Sequence, residues 1–145
     1  VHAEGPVRTN YDDLNTYEVM RQGSKVAVLA LGDFYDLGEK TVEALSSTLG
    51  IEATLVKPYF ASGVDENLLD NLVKDHDVIV TIEDGIIEGG WGQNIASYLG
   101  TSSARVLNYG VKKAFYDRVN IAELMRESHL EPELIAADVK QVLGL

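Results

Sequence analysis

The sequence predicts an α/β fold: an open, mostly parallel sheet with helices on both faces. Three observations lead there. The runs Lys25–Leu31 (KVAVLAL) and Val78–Ile82 (VIVTI) have no polar face, as expected of strands covered on both sides. Segments with apolar residues at helical spacing follow these strands, and glycine, proline and capping residues punctuate the joins. The chain has 145 residues. A domain of that size buries roughly 68–70% of the surface its unfolded form exposes, enough for a core without metals or disulfides.

The elements follow in order. Residues 1–24 show no sustained periodicity and carry the turn formers Gly5-Pro6, Asp12-Asp13, Asn15 and Gly23-Ser24, so they read as a lead-in or linker from an upstream domain. The domain itself is expected over 25–145. Its first strand, Lys25–Leu31, ends at Gly32. Asp36 stands three residues before Glu39 as a capping box for a helix bearing Val42, Leu45 and Leu49, with Gly50 as its left-handed stop. Glu52–Val56 is the second strand, closed by Pro58. Asp65 then caps a helix whose face is Leu68, Leu69, Leu72 and Val73. Asp77–Ile82 is the third strand, and a glycine turn leads from it to a helix over 93–99. Arg105–Leu107 is a shorter strand ending at Asn108-Tyr109-Gly110. Asn120 and Glu123 form a further capping box for Ile121, Leu124 and Met125. Pro132 opens a last helix with Leu134, Ile135, Val139 and Val142 inside.

Composition excludes several classes. With no cysteine, there are no disulfides, thiolate zinc sites or cysteine nucleophiles, which suits a reducing compartment. A net charge of -11 repels phosphate backbones and anionic bilayers, so neither nucleic acid nor membrane is an expected partner. No secretory signal or bilayer-length apolar run is apparent, and a soluble protein is expected. The chain opens at Val1, as a piece of a longer polypeptide would.

Candidate residues concentrate in Asp77–Gly92 (DVIVTIEDGIIEGGWG), at the carboxyl end of the third strand, where α/β folds collect ligands and partners. Gly85, Gly89, Gly90 and Gly92 invite a phosphate-cradle reading. However, a dinucleotide fingerprint begun at Gly90 and Gly92 finds Ile95 where its third glycine belongs, and no GK[ST] ending follows. Close packing of two segments is the better account of these glycines. Glu83 and Asp84, adjacent on a strand, point to opposite faces and do not converge on one substrate atom. Capping of the next helix, or pairing across an interface, suits Glu83 better than catalysis, and Asp84-Gly85 reads as a turn. His2, His76 and His129 share no metal-ligand spacing. His76 is expected near a helix carboxyl end, where the dipole favours it. No G-x-S-x-G elbow is present. Trp91, the sole tryptophan, is a core plug if buried and an interface anchor if exposed. Tyr59-Phe60 and Tyr109 lie at expected strand exits and would extend such an interface.

The runs KVAVLALGDFYDLGEKTVEAL, DHDVIVTIEDGIIEGGWG and VLNYGVKKAFYDR, in this order, resemble the C-terminal domain of the 1-deoxy-D-xylulose-5-phosphate synthase family. That family belongs to the transketolase-like, thiamine-diphosphate-dependent group. The resemblance extends from Lys25 to the end of the chain. It implies a three-layer domain with about five strands and one antiparallel edge, within the usual range for sheets. It implies a parent transferase joining pyruvate-derived carbon to glyceraldehyde 3-phosphate with loss of carbon dioxide, in isoprenoid and thiamine precursor synthesis. Thiamine diphosphate and magnesium would serve the parent, which would be a cytoplasmic homodimer. In this group two upstream domains hold the cofactor and supply its activating glutamate. The GDG…N signature of the first is absent here. The resemblance therefore assigns no catalytic, cofactor-binding or metal-binding residue to this chain, which alone should be inactive and bind no cofactor. Its expected role is assembly, with Glu83, Asp84, Gly89, Gly90, Trp91 and Gly92 as the candidate interface to upstream domains or a second subunit. Competing readings are the C-terminal domain of a transketolase or of a 2-oxo acid dehydrogenase β subunit, or a free-standing docking module.

Overall fold

In a computed structural model, residues 16–59, 64–86, 90–111 and 128–145 are described, with the backbone alone for 84–86 and 111. Five strands form one sheet: β1 (Glu18–Arg21), β2 (Lys25–Ala30), β3 (Thr54–Lys57), β4 (His76–Ile86) and β5 (Arg105–Val111). Their spatial order is β1-β3-β2-β4-β5. β1 runs antiparallel to β3, and the β2–β3, β2–β4 and β4–β5 pairings are parallel. Among the described residues four helices cover it: α1 (Tyr35–Leu49), α2 (Glu66–Leu72), α3 (Trp91–Tyr98) and α4 (Pro132–Leu143). The α/β class, the five strands and the antiparallel edge match expectation.

Strand alternation sorts the core into two layers. Val26, Val28 and Ala30 of β2, with Val78, Val80 and Ile82 of β4, face α1 and α4 through Val42, Leu45, Ile135 and Val139. The intervening Ala27, Leu29 and Ile79 face α2 and α3 through Leu69, Leu72, Trp91 and Ile95. The central strands therefore have no solvent face, which explains their unbroken apolar runs. On α4 the inner face is Ile135, Ala136 and Val139, with Val142 packed beside them and Leu134 only half-buried.

Several boundaries differ from the sequence reading, each for a physical reason. The stretch read as irregular contains the edge strand β1, whose four residues are all exposed and so lack any burial pattern. Its register slips between Val19 and Arg21, which breaks the alternation further. α1 starts at Tyr35 out of a 3-10 turn, Gly32–Phe34, without a side-chain cap. Gly32, at φ 71°, reverses the chain directly after β2, so Asp36 is already helical and does not cap. Gly50 closes α1 at φ 68°, as expected. β3 begins at Thr54, two residues later than read, and Pro58 follows its end. Asp65 caps α2 by accepting from Leu68 N at 3.1 Å. The capping box at Asn120 and Glu123, and Phe60, lie outside the described residues.

β4 and β5 both outrun the sequence reading. β4 continues through Glu83, Asp84 and Gly85 to Ile86, so Asp84-Gly85 is not a tight turn. β5 continues through Asn108-Tyr109-Gly110. Each strand supplies the other's partner: the ladder lapses after Ile82↔Tyr109 and resumes at Ile86↔Val111. No described helix is long and apolar enough to cross a membrane.

Candidate interface at the carboxyl ends of the strands

The sheet order reverses between β2 and β4, since the chain moves from β2 outward to β3 and returns to place β4 on the other side. In such sheets the crevice outside the strand carboxyl ends at this point is the usual binding place. Here the two strands are tied across the crevice by Leu31 N–H donating to Ile82 O at 2.8 Å.

Glu83 is 4% exposed, and its carboxylate meets the start of α3. Oε1 accepts from Trp91 N at 3.2 Å and Oε2 from Gly92 N at 2.8 Å. These N–H groups lack intrahelical partners and carry the positive end of the helix dipole, so a buried carboxylate is stabilised there. The cap comes from a neighbouring strand. This is the helix-capping role expected of Glu83, and α3 starts at Trp91, two residues before the helix read from sequence.

Gly92 makes that approach possible. A Cβ on it would lie 2.5 Å from Thr81 Oγ1, 2.8 Å from Glu83 Oε2 and 2.9 Å from Asn108 Oδ1. Thr81 in turn donates to Asn108 Oδ1 at 2.6 Å, closing a small polar node between β4, β5 and α3. Gly92 thus serves close backbone approach, as the sequence suggested for this cluster. The side chain of Asp84, and Gly89 altogether, lie outside the described residues; Gly90 is the extended residue preceding α3.

Trp91 is 2% exposed and belongs to the core layer under α2 and α3. Its Nε1 donates to Tyr17 OH at 3.0 Å, and the two rings meet edge to face at 6.3 Å. The ring is buried, the case in which the sequence reading makes it a core plug. Burial pushes the Tyr17 hydroxyl above the usual phenol range, against a smaller downward pull from the Trp91 hydrogen bond. Tyr17 N donates to the α2 cap, Asp65 Oδ2, at 2.9 Å, which ties the segment before β1 to the start of α2. Sequence reasoning missed Tyr17, Thr81 and Asn108. Tyr17 lies 74 residues from its tryptophan partner, and polar strand residues carry no pattern announcing mutual contact.

The chemistry of this corner is limited. The helix start that would draw a diphosphate is filled by Glu83, so these residues do not fit a phosphate cofactor. Among the described residues, no three histidine, aspartate or glutamate side chains converge as metal ligands. Of the expected strand-exit aromatics, the two among the described residues lie apart: Tyr59 is exposed near β1, where it meets the Glu18 carboxylate, whereas Tyr109 is buried under α4, donating to Asp138 at 2.7 Å.

Residues 15–135 match the family described as transketolase, C-terminal domain. The chain belongs to that family. Among curated relatives it is similar to 1-deoxy-D-xylulose-5-phosphate synthases, at 35% identity to that of Pseudoalteromonas translucida and 34% to that of Vibrio atlanticus. These matches cover 91% and 86% of this chain but only 21% and 19% of the relatives, so it spans about a fifth of their length. Among solved structures, a split-gene transketolase described as an inactive beta4 tetramer superposes with a TM-score of 0.77 at 24% identity. That match covers 96% of this chain and 44% of the other. Transketolase from Campylobacter jejuni superposes with a TM-score of 0.60 at 13% identity, over 97% of this chain and 20% of its own. These likenesses establish the fold.

Proposed function

We propose that this transketolase C-terminal domain is the assembly domain of a 1-deoxy-D-xylulose-5-phosphate synthase-like transferase. The parent would convert pyruvate and D-glyceraldehyde 3-phosphate to 1-deoxy-D-xylulose 5-phosphate and carbon dioxide, feeding isoprenoid and thiamine synthesis. The observation that carries this reading is the likeness to synthases over most of this chain and only a fifth of theirs. The occupied start of α3 supports placing the cofactor elsewhere, because the fold's ready-made anion site is used internally. Thiamine diphosphate with magnesium would be held by upstream domains, and supplies the carbon–carbon chemistry when bound. The parent is proposed to be a cytoplasmic homodimer.

In this reading the corner formed by Glu83, Asp84, Gly89, Gly90 and Gly92 packs against upstream domains or a second subunit. Trp91 supports that corner from beneath. Glu83 fixes the start of α3 and so sets the surface a partner meets. An assay with both substrates, thiamine diphosphate and magnesium tests the division of labour. The 145-residue chain alone should form no product, and mixing it with the upstream portion of the same polypeptide should restore turnover. Product formation by the chain alone overturns the proposal.

A further inference from the structure

The β1 edge of the sheet is left open on the side of α1. That helix packs on β2 and β3, while the four residues of β1 are all exposed. Between α1 and β1 lies a hollow of about 260 Å³. Val42 of α1 and Leu55 of β3, both buried core residues, line it, together with the half-exposed Met20 of β1. Tyr35, Glu39, Val42 and Glu43 border it from α1, at the i, i+4, i+7 and i+8 spacing of one helix face. Successive residues of a regular strand point to opposite faces, yet Met20 and Arg21 both line the hollow. The register slip between Val19 and Arg21 accounts for this, since a bulge sets two residues against one.

The border is acidic, and the domain does not use these acids itself. Among the described residues neither Glu39 nor Glu43 has an ion-pair partner, and both are exposed. The nearby cations are engaged. Arg21 donates to Glu52 at 3.2 Å, and Lys57 Nζ stands 5.2 Å from the centre of the Tyr35 ring and 5.8 Å from that of Tyr59. Burial, and after it the charges of Glu39, Glu18 and Asp36, raise the Tyr35 hydroxyl above the usual phenol range, so three carboxylates bear on one mouth. Small-molecule pockets measure about 300–1,000 Å³, and this smaller hollow suits one long side chain. Apolar lining beside two carboxylates one helical turn apart is complementary to arginine, whose stem buries while its guanidinium bonds carboxylates along two edges. We infer that this groove docks a protein segment that inserts an arginine side chain flanked by apolar residues. The stem lies on Val42, Leu55 and Met20, and the guanidinium meets Glu39 and Glu43. The surface lies on the β1 edge, away from the β4–α3 corner, and is independent of the reaction the parent performs.

Titrating the full chain with a capped peptide, acetyl-Ala-Leu-Arg-Leu-Ala-amide, and following amide resonances by nuclear magnetic resonance tests this. Shifts at Met20, Arg21, Glu39 and Glu43 should saturate together. The same peptide with citrulline, a neutral isostere of arginine, should bind roughly fivefold more weakly. The arginine peptide should lose about as much on a chain carrying Glu39→Gln and Glu43→Gln. Attraction by the net charge of -11 alone is separated by removing two exposed helix carboxylates elsewhere, Glu66→Gln with Glu133→Gln. That chain should bind as the unaltered one does. Equal weakening by both pairs, equal binding of the citrulline peptide, or shifts that never saturate overturn the inference. So do shifts at the same amides when the protein is concentrated without peptide, which would make a second copy the occupant.

Discussion

The two ends of the sheet bury polar groups in opposite ways. At the carboxyl end, the carboxylate of Glu83 is met by helix-start amides, Trp91 N at 3.2 Å and Gly92 N at 2.8 Å. At the amino end, close polar contacts run from Gly23 N to Thr54 Oγ1 at 2.9 Å, from there to His76 Nε2 at 2.7 Å, and from His76 Nδ1 to Leu72 O at 2.9 Å. The first depends on a dipole and on a glycine permitting contact; the second links three segments through two side chains. A carboxylate is tolerated inside a small domain where backbone donors already await it.

Substitutions can separate these two designs. The largest effect is expected from Trp91→Ala, which empties the floor of the carboxyl-end node and removes the indole donor to the Tyr17 hydroxyl. A loss of about 3–5 kcal/mol is expected, read from denaturant melts followed by circular dichroism. A loss below about 1 kcal/mol, with weakened association instead, would restore the anchor reading and undo the comparison. Glu83→Gln comes next. It removes the charge and turns an amide group toward one helix amide, for about 1–3 kcal/mol. If that variant is as stable as the parent chain, dipole and charge are not what hold this node.

At the amino end, Thr54→Val deletes the hydroxyl that accepts from Gly23 N and meets His76 Nε2, and about 1 kcal/mol is expected by the same melts. A cost exceeding that of Glu83→Gln would reverse the ranking of the two ends. The last test is silent near neutrality. Burial, and after it the hydrogen bond to Asp138 and that residue's charge, push the Tyr109 phenol well above its ordinary value of 10.0. The folded state thus favours the protonated phenol. That stability is intact below about pH 10 and is lost as pH rises toward the raised folded value. Tyr109→Phe should flatten this alkaline decline in pH-dependent melts, and an unchanged slope would remove Tyr109 as its source.

Much of the layout can be read from the chain because the central strands are covered on both faces, and double burial writes itself as unbroken apolar runs. The stops written in single residues, Gly50 after α1 and Asp65 before α2, were equally readable. What could not be read was non-local. β1 is short, exposed and interrupted in register, so nothing in its four residues distinguishes a strand from a linker. The ends of β4 and β5 depend on each other and on no residue type. At the candidate site, Glu83 as a helix cap and Gly92 as a point of close approach followed from residue chemistry. Trp91 remained open until burial decided it, and Tyr17 as its partner left no trace.

One buried ring also makes the protein its own reporter. Trp91 is the only tryptophan, and its indole hydrogen goes to Tyr17, just before β1. Emission excited selectively at the indole therefore comes from a single seam, between that segment and α3. Drying or wetting of that seam would appear as a shift in one fluorescence band without any added label.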